Sequence, residues 1–231
     1  MKMIHWTLGA VASIAMILIL LITSFEIGTY SDFTWYEKEY VKYGVLDDLE
    51  MEKENAMQVT REMMDYLRGD REDLVVDTIV DGEEREFFND REKAHMSDVQ
   101  KLFLGGLHLR LGAAVALVAA CAALLLTKAD WKRGLPKAFL TGTGGFVAAA
   151  GILATLIASD FNRYFVMFHE IFFDNDLWLL DPQTDLLIRM LPEGFFSDMA
   201  IRIGLIFISF LMILLFISVG VLWRQKDKKN L

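Results

Sequence analysis

The sequence predicts a mainly α integral membrane protein in which four transmembrane helices carry an extracytoplasmic α+β cap containing a small β-hairpin. Three observations predict it. Four stretches are long and apolar enough to cross a bilayer, which takes about 20 such residues. Acidic and basic side chains segregate between those stretches. An Asp-Gly pair divides two short runs in the longest polar segment, as a hairpin turn would. Hydrophobic residues make up 54% of the chain, more than a soluble domain of 231 residues ordinarily buries.

The first segment, 1–25, holds an apolar run near Trp6 to Phe25. It lacks a small-x-small cleavage site, and Phe25-Glu26-Ile27 follows directly, so it reads as a retained anchor. An acidic extracytoplasmic domain, 26–103, comes next. Within it Tyr30 to Tyr43 is aromatic and charged and suits a helix at the interface. Leu49 to Arg68 reads as a helix with Val59, Met63, Tyr66 and Leu67 on one side and Gly69 as its stop. Leu74–Val80 and Glu83–Phe88 flank Asp81-Gly82, a turn pair suited to two positive φ angles. A further helix starts near Asn89 or Asp90 and leads into the second span, 104–126.

A loop at 127–137 precedes the third span, 138–158. Segment 159–199 is rich in Phe yet polar, so it reads as a re-entrant or interfacial segment. Within it Asp181-Pro182 is expected to start a short helix that runs through Met190. The fourth span, 200–223, ends in the tail 224–231. Gly112, Ala116 and Ala120 in the second span and Thr141–Gly145 with Ala148–Gly151 in the third predict that these two helices pack tightly, because small residues let backbones approach.

Orientation follows from the basic residues. Lys2, the 127–137 loop with Lys128, Lys132, Arg133 and Lys137, and the tail with Arg224, Lys226, Lys228 and Lys229 belong in the cytoplasm. Both termini are therefore expected in the cytoplasm, in a multi-pass protein of the cell membrane. A net charge of -9 argues against nucleic acid as a partner. The lone Cys121 excludes a disulfide framework and cysteine metal spacings.

Four histidines are present. His5 is cytoplasmic, and His108 lies one turn inside the second span. His95 and His169 are both placed outside, at membrane level and near carboxylates. Arg91, Glu92, His95 and Asp98 fall near one helical face. His169 sits in the apolar part of its segment, which is costly unless the ring is partnered or used. Two such imidazoles suit general base chemistry near neutral pH. Arg110 and Arg202 lie near outer span ends, where they snorkel to headgroups or hold a polar group of a bound lipid.

The span order, the segment Arg91-Glu92-x-x-His95-Met96-x-Asp98-Val99 and the segment Phe168-His169-Glu170-x-Phe172-Phe173-x-Asn175-x-x-Trp178 resemble the lipoprotein intramolecular transacylase (Lit) family of Gram-positive bacteria. The resemblance covers essentially the whole chain. It implies an enzyme that moves the sn-2 acyl chain of a diacylglyceryl-cysteine lipoprotein onto the α-amino group of the same cysteine, giving a lyso-form lipoprotein. It also implies His95 and His169 as the essential pair. His95 would be the base, oriented by Asp98 or Glu92, and His169 would hold the nucleophile or the oxyanion, or the roles are reversed. Arg91, Glu170, Asn175 and Trp178 are supporting candidates. An amide is more stable than an ester, so no cofactor or energy source is expected. No metal is expected either: His95 with Asp98 and His169 with Glu170 are conceivable zinc donors, but no two-histidine helical signature is present. The competing reading is a non-enzymatic membrane sensor or assembly protein with an acidic outer domain. The oligomeric state is not legible in the sequence.

Overall fold

The computed structural model describes residues 2–127 and 129–227. Of the basic residues used for orientation, Lys128, Lys228 and Lys229 lie outside them. The order of elements is α1 (Lys2–Tyr30), α2 (Thr34–Lys42), α3 (Val45–Asp48), α4 (Lys53–Arg68), β1 (Asp77–Val80), β2 (Glu83–Glu86), α5 (Asp90–Leu126), α6 (Trp131–Ser159), α7 (Phe161–Phe172), α8 (Leu186–Met190) and α9 (Glu193–Asp227). Helices α1, α5, α6 and α9 are long and apolar enough to cross a membrane. The fold is mainly helical, with one small antiparallel sheet.

The chain divides into two compact units. The first comprises the chain up to Ile27, Leu107–Ser159 and the chain from Arg202 onward. Its core is Ile17, Phe139, Phe207 and Leu211, from α1, α6 and α9. The predicted tight pairing of the second and third spans is not what forms. A Cβ added at Gly112, Gly144, Gly145 or Gly151 would meet open space. The close approaches join α6 to α1 instead: a Cβ at Gly9 would lie 3.1 Å from Ala138 Cβ, and one at Gly142 would run into Ser13. Small residues permit close packing without specifying the partner.

Helix α6 also starts earlier than expected, which shortens the 127–137 loop. Pro136 lies inside the helix and has no N–H to offer the carbonyl four residues back. That carbonyl, on Lys132, instead accepts from Gln225 Nε2 at 2.8 Å. The orphan created by the proline is thus satisfied from α9.

The second unit comprises Gly28–Gly106 and Asp160–Ile201. On α4 the buried residues Ala56, Val59, Thr60, Met63 and Leu67 recur at helical spacing and face Tyr36 and Tyr40 of α2. Tyr40 and Thr60 share a hydrogen bond of 2.7 Å between their hydroxyls. Gly69 ends α4 at φ +84°, as read. The hairpin forms at the expected turn, with Asp81 at φ +53° and Gly82 at +75°. Its strands are shorter than the sequence suggested, pairing Asp77 with Glu86 through Val80 with Glu83. The expected helix from Asp181 to Met190 begins only at Leu186. Asp181 instead heads a turn, where its carbonyl accepts from the N–H groups of Thr184 and Asp185 at 3.0 and 2.8 Å. The short α3 is a further element not anticipated.

Candidate active site

The site is built on two helices of the second unit. Helix α5 starts with Asn89 as its cap. Asn89 N–H donates to Glu92 Oε2 at 2.7 Å, and Glu92 N–H donates to Asn89 Oδ1 at 3.0 Å. This reciprocal capping box fixes the first turn and so the direction of His95, one turn further on. Helix α7 starts at Asp160, whose carboxylate accepts from Arg163 N–H at 3.1 Å. Phe161, Phe165 and His169 then follow at four-residue spacing, and His169 faces inward.

His95 and His169, 74 positions apart in the chain, come together with ring centroids 6.0 Å apart. Both are buried, at 7% and 8% exposure. Aromatic rings wall them in. Phe173 lies 5.3 Å from His95 and 5.5 Å from His169. Trp178 stacks on His169 at 5.0 Å, and Phe165 meets it edge-on at 4.4 Å. Phe168 completes that side at 5.5 Å.

His169 Nδ1 lies 2.7 Å from the Phe165 carbonyl oxygen. A carbonyl only accepts, so Nδ1 carries the proton. In the neutral ring Nε2 is then the atom with a free lone pair. Burial lowers the His169 pKa below the ordinary histidine value, partly opposed by the bond to Phe165. The ring is therefore neutral at pH 7, with its tautomer set. His95 has no hydrogen-bond partner among the described residues.

Arg91 and Asp98 share one face of α5 with His95 and hold the segment after α7. Arg91 donates to the Asp176 carbonyl and lies 3.9 Å from the Asp176 carboxylate. Asp98 accepts from Asn175 Nδ2 at 2.9 Å and from Lys101 Nζ at 2.8 Å. Asn175 Oδ1 in turn accepts from Leu177 N–H at 3.0 Å, which shapes the approach to Trp178. Asp98 thus positions this segment rather than hydrogen-bonding the His95 ring. Glu92 does not orient His95 either. It is fully buried, and its second oxygen accepts from Leu187 N–H at 2.6 Å, tying α8 to α5. Glu170 is exposed on α7. Arg110 and Arg202 belong to the other unit, where Arg110 pairs with Glu26 and Arg202 is half-buried.

Sequence reasoning missed Phe165 and Phe173, which form much of the wall. The usable signal for Phe165 was its four-residue spacing from His169, which puts both on one face of α7, whereas Phe173 lies past the end of that helix in extended backbone, where helical spacing gives no signal. Among the described residues no three His, Cys, Asp or Glu side chains converge as a metal site would require.

A mainly helical, multi-pass membrane protein with two buried imidazoles brought together from distant parts of the chain is thereby defined. The model of the family "Lipoprotein intramolecular transacylase Lit" matches residues 10–196, and the chain belongs to that family. It is accordingly an enzyme that carries out intramolecular acyl transfer on lipoproteins. Among solved structures, the membrane integral lipoprotein intramolecular transacylase Lit from Bacillus cereus is similar with a TM-score of 0.81 at 20% identity, covering 98% of this chain and 100% of that one. Two variants of the Bacillus cereus protein, with a histidine mutated to arginine or to alanine, match at 0.74 and 18% identity, each over 98% of this chain and over 96% and 97% of theirs. No curated protein matches the sequence.

Proposed function

We propose that this chain moves the sn-2 acyl chain of a diacylglyceryl-cysteine lipoprotein to the α-amino group of the same cysteine, with His169 as general base and His95 as the group that steadies the developing oxyanion. The observation that carries the assignment is the bond between His169 Nδ1 and the Phe165 carbonyl. It leaves Nε2 as the acceptor, in a pocket that His95 shares at 6.0 Å. The amine nitrogen attacks the ester carbonyl carbon. His169 Nε2 takes a proton from that nitrogen as the tetrahedral intermediate forms. The same proton passes to the sn-2 glyceryl oxygen as the C–O bond breaks, so the ring returns to its starting state. A His95 N–H donates to the oxyanion while it exists. Donor and acceptor belong to one molecule, so the pocket's main task is to fold the substrate into reacting geometry. The aromatic walls exclude water, which would otherwise compete with the amine.

The reaction belongs on the extracytoplasmic face, with both termini cytoplasmic. Support comes from the basic residues at the ends of the spans and from the acidic composition of the second unit. Replacing His95 or His169 by Ala is expected to lower lyso-form lipoprotein by about 10²-fold or more while the protein stays in the membrane. Mass spectrometry of lipoprotein N-terminal peptides from cells expressing each variant measures this. Wild-type amounts of the lyso-form from both variants would refute the assignment.

A further inference from the structure

The first unit contains a cavity that the acyl-transfer reading does not use. It has a volume of about 320 Å³ and is lined by His5, Leu124, Ala129, Asp130, Trp131, Arg133, Gly134 and Lys137. We propose that it binds the headgroup of an anionic phospholipid at the end of the bundle where α1 and α6 begin and α5 ends.

Position is the first argument. His5 lies in the first turns of α1, Leu124 in the last turn of α5, and Trp131 to Lys137 in the first turns of α6. All are ends of candidate membrane spans, which is the level of the headgroups. Trp131 is exposed, as interfacial tryptophans are. Leu125 and Leu126 beside the cavity are exposed as well, and present an apolar surface to acyl chains.

Charge is the second. Arg133 and Lys137 are four residues apart and share one face of α6. Among the described residues Asp130 is the only acid in the lining, and it lies 3.8 Å from Arg133 Nε. The two cations and one anion leave one unit of positive charge, which matches a phosphodiester. Lys137 has no ion-pair partner among the described residues.

Preorganisation is the third. Arg133 Nε donates to Gln225 Oε1 at 2.9 Å, and Gln225 Nε2 is held by the Lys132 carbonyl that Pro136 leaves without its usual partner. The guanidinium is fixed by this chain before any ligand arrives, so little side-chain entropy is lost on binding, and its fork suits phosphate oxygens. Lys132 takes no part, since its ammonium sits over the Trp131 ring at 5.6 Å.

The test uses the full chain in mild detergent with native mass spectrometry. The probes are phosphatidylglycerol, phosphatidylcholine and inorganic phosphate. One phosphatidylglycerol is expected to be retained in preference to phosphatidylcholine. Lys137→Gln should weaken retention about fivefold, Arg133→Gln with Lys137→Gln further, and Lys137→Arg should restore it. Lys132→Gln should leave retention unchanged, as a separate basic residue on the same stretch. Thermal unfolding of each variant identifies those that fail to fold, and Lys137→Gln, at an exposed position, serves as the decisive variant. Equal retention of phosphatidylcholine would overturn the proposal, as would Lys137→Gln behaving like wild type. Two other results also overturn it: an equal loss in Lys132→Gln, which marks a diffuse basic rim, and displacement of the lipid by millimolar phosphate, which marks a free-anion site.

Discussion

His169 meets two demands that usually conflict. A general base must be neutral and have a free lone pair, yet a buried imidazole needs a partner for its N–H. The Phe165 carbonyl resolves this within one helix turn, because it takes the Nδ1 proton and leaves Nε2 open. Burial lowers the pKa, so the ring is neutral throughout the neutral range. The sign for activity follows. Protonation removes the base only as pH falls below the ordinary histidine value of about 6.5. The substrate ammonium, with an unperturbed value near 8, must itself lose a proton, so it limits the rate at higher pH. With dilute diacylated lipopeptide, log rate should rise with a slope of about one between about pH 6.5 and 8. It should steepen toward two below that range, where His169 also protonates. Steepening already above pH 7 would mean that the titrating base is not this buried ring. The same shift predicts that folding stability falls as pH drops through about 6.5, because the unfolded chain then gains a proton that the native ring resists.

At the scale of elements, Glu92 shows how one short motif supports two readings. A glutamate three residues before a histidine reads as its orienting partner, and Asn89-x-x-Glu92 equally reads as a capping box. Geometry decides for the cap, since the carboxylate accepts from Asn89 and Leu187 N–H groups. Glu92→Gln keeps the shape but leaves one carbonyl oxygen for two buried donors. The expected cost is about 1–3 kcal/mol, read as a fall of about 2–4 °C per kcal/mol in the thermal midpoint in detergent. An unchanged midpoint would show that the α5–α8 tie contributes nothing. The elements legible in the sequence were those whose signal is local. The hairpin follows from Asp81-Gly82, and the end of α4 from Gly69, because each needs positive φ. Helix α8 was misplaced because its start depends on Glu92, 95 positions away, accepting from Leu187 N–H. The histidine pair was legible as residue types and Trp178 through the family resemblance, whereas Phe173 was not, since it reaches the rings from a segment held by Arg91 and Asp98.

For the whole molecule, four candidate spans could be read from the sequence, yet which of them touch could not. In a bilayer the lipid tails are as apolar as leucine, so helix pairing depends on close fit, and fit depends on both surfaces. Two glycine-bearing helices look alike in sequence and differ in structure. Gly142 of α6 faces Ser13 of α1, and an added Cβ would overlap the Ser13 hydroxyl. Gly112 of α5 faces open space. Ser13 and Thr143 are both buried with hydroxyls that bond no protein atom among the described residues, so neither side chain is held in a bond that must break when the helices shift. The cost of Gly142→Ala therefore lies in overpacking against the Ser13 side chain, about 1–3 kcal/mol. Gly112→Ala should be neutral, or stabilising by up to about 1 kcal/mol, because it adds helix propensity without a clash. Unfolding of the two variants by sodium dodecyl sulfate, followed by circular dichroism, separates the cases: the Gly142→Ala midpoint should fall and the Gly112→Ala midpoint should hold or rise. If Gly112→Ala proves the more damaging, the second and third spans pack as their small residues suggest, and the α1–α6 contact is not what organises the first unit.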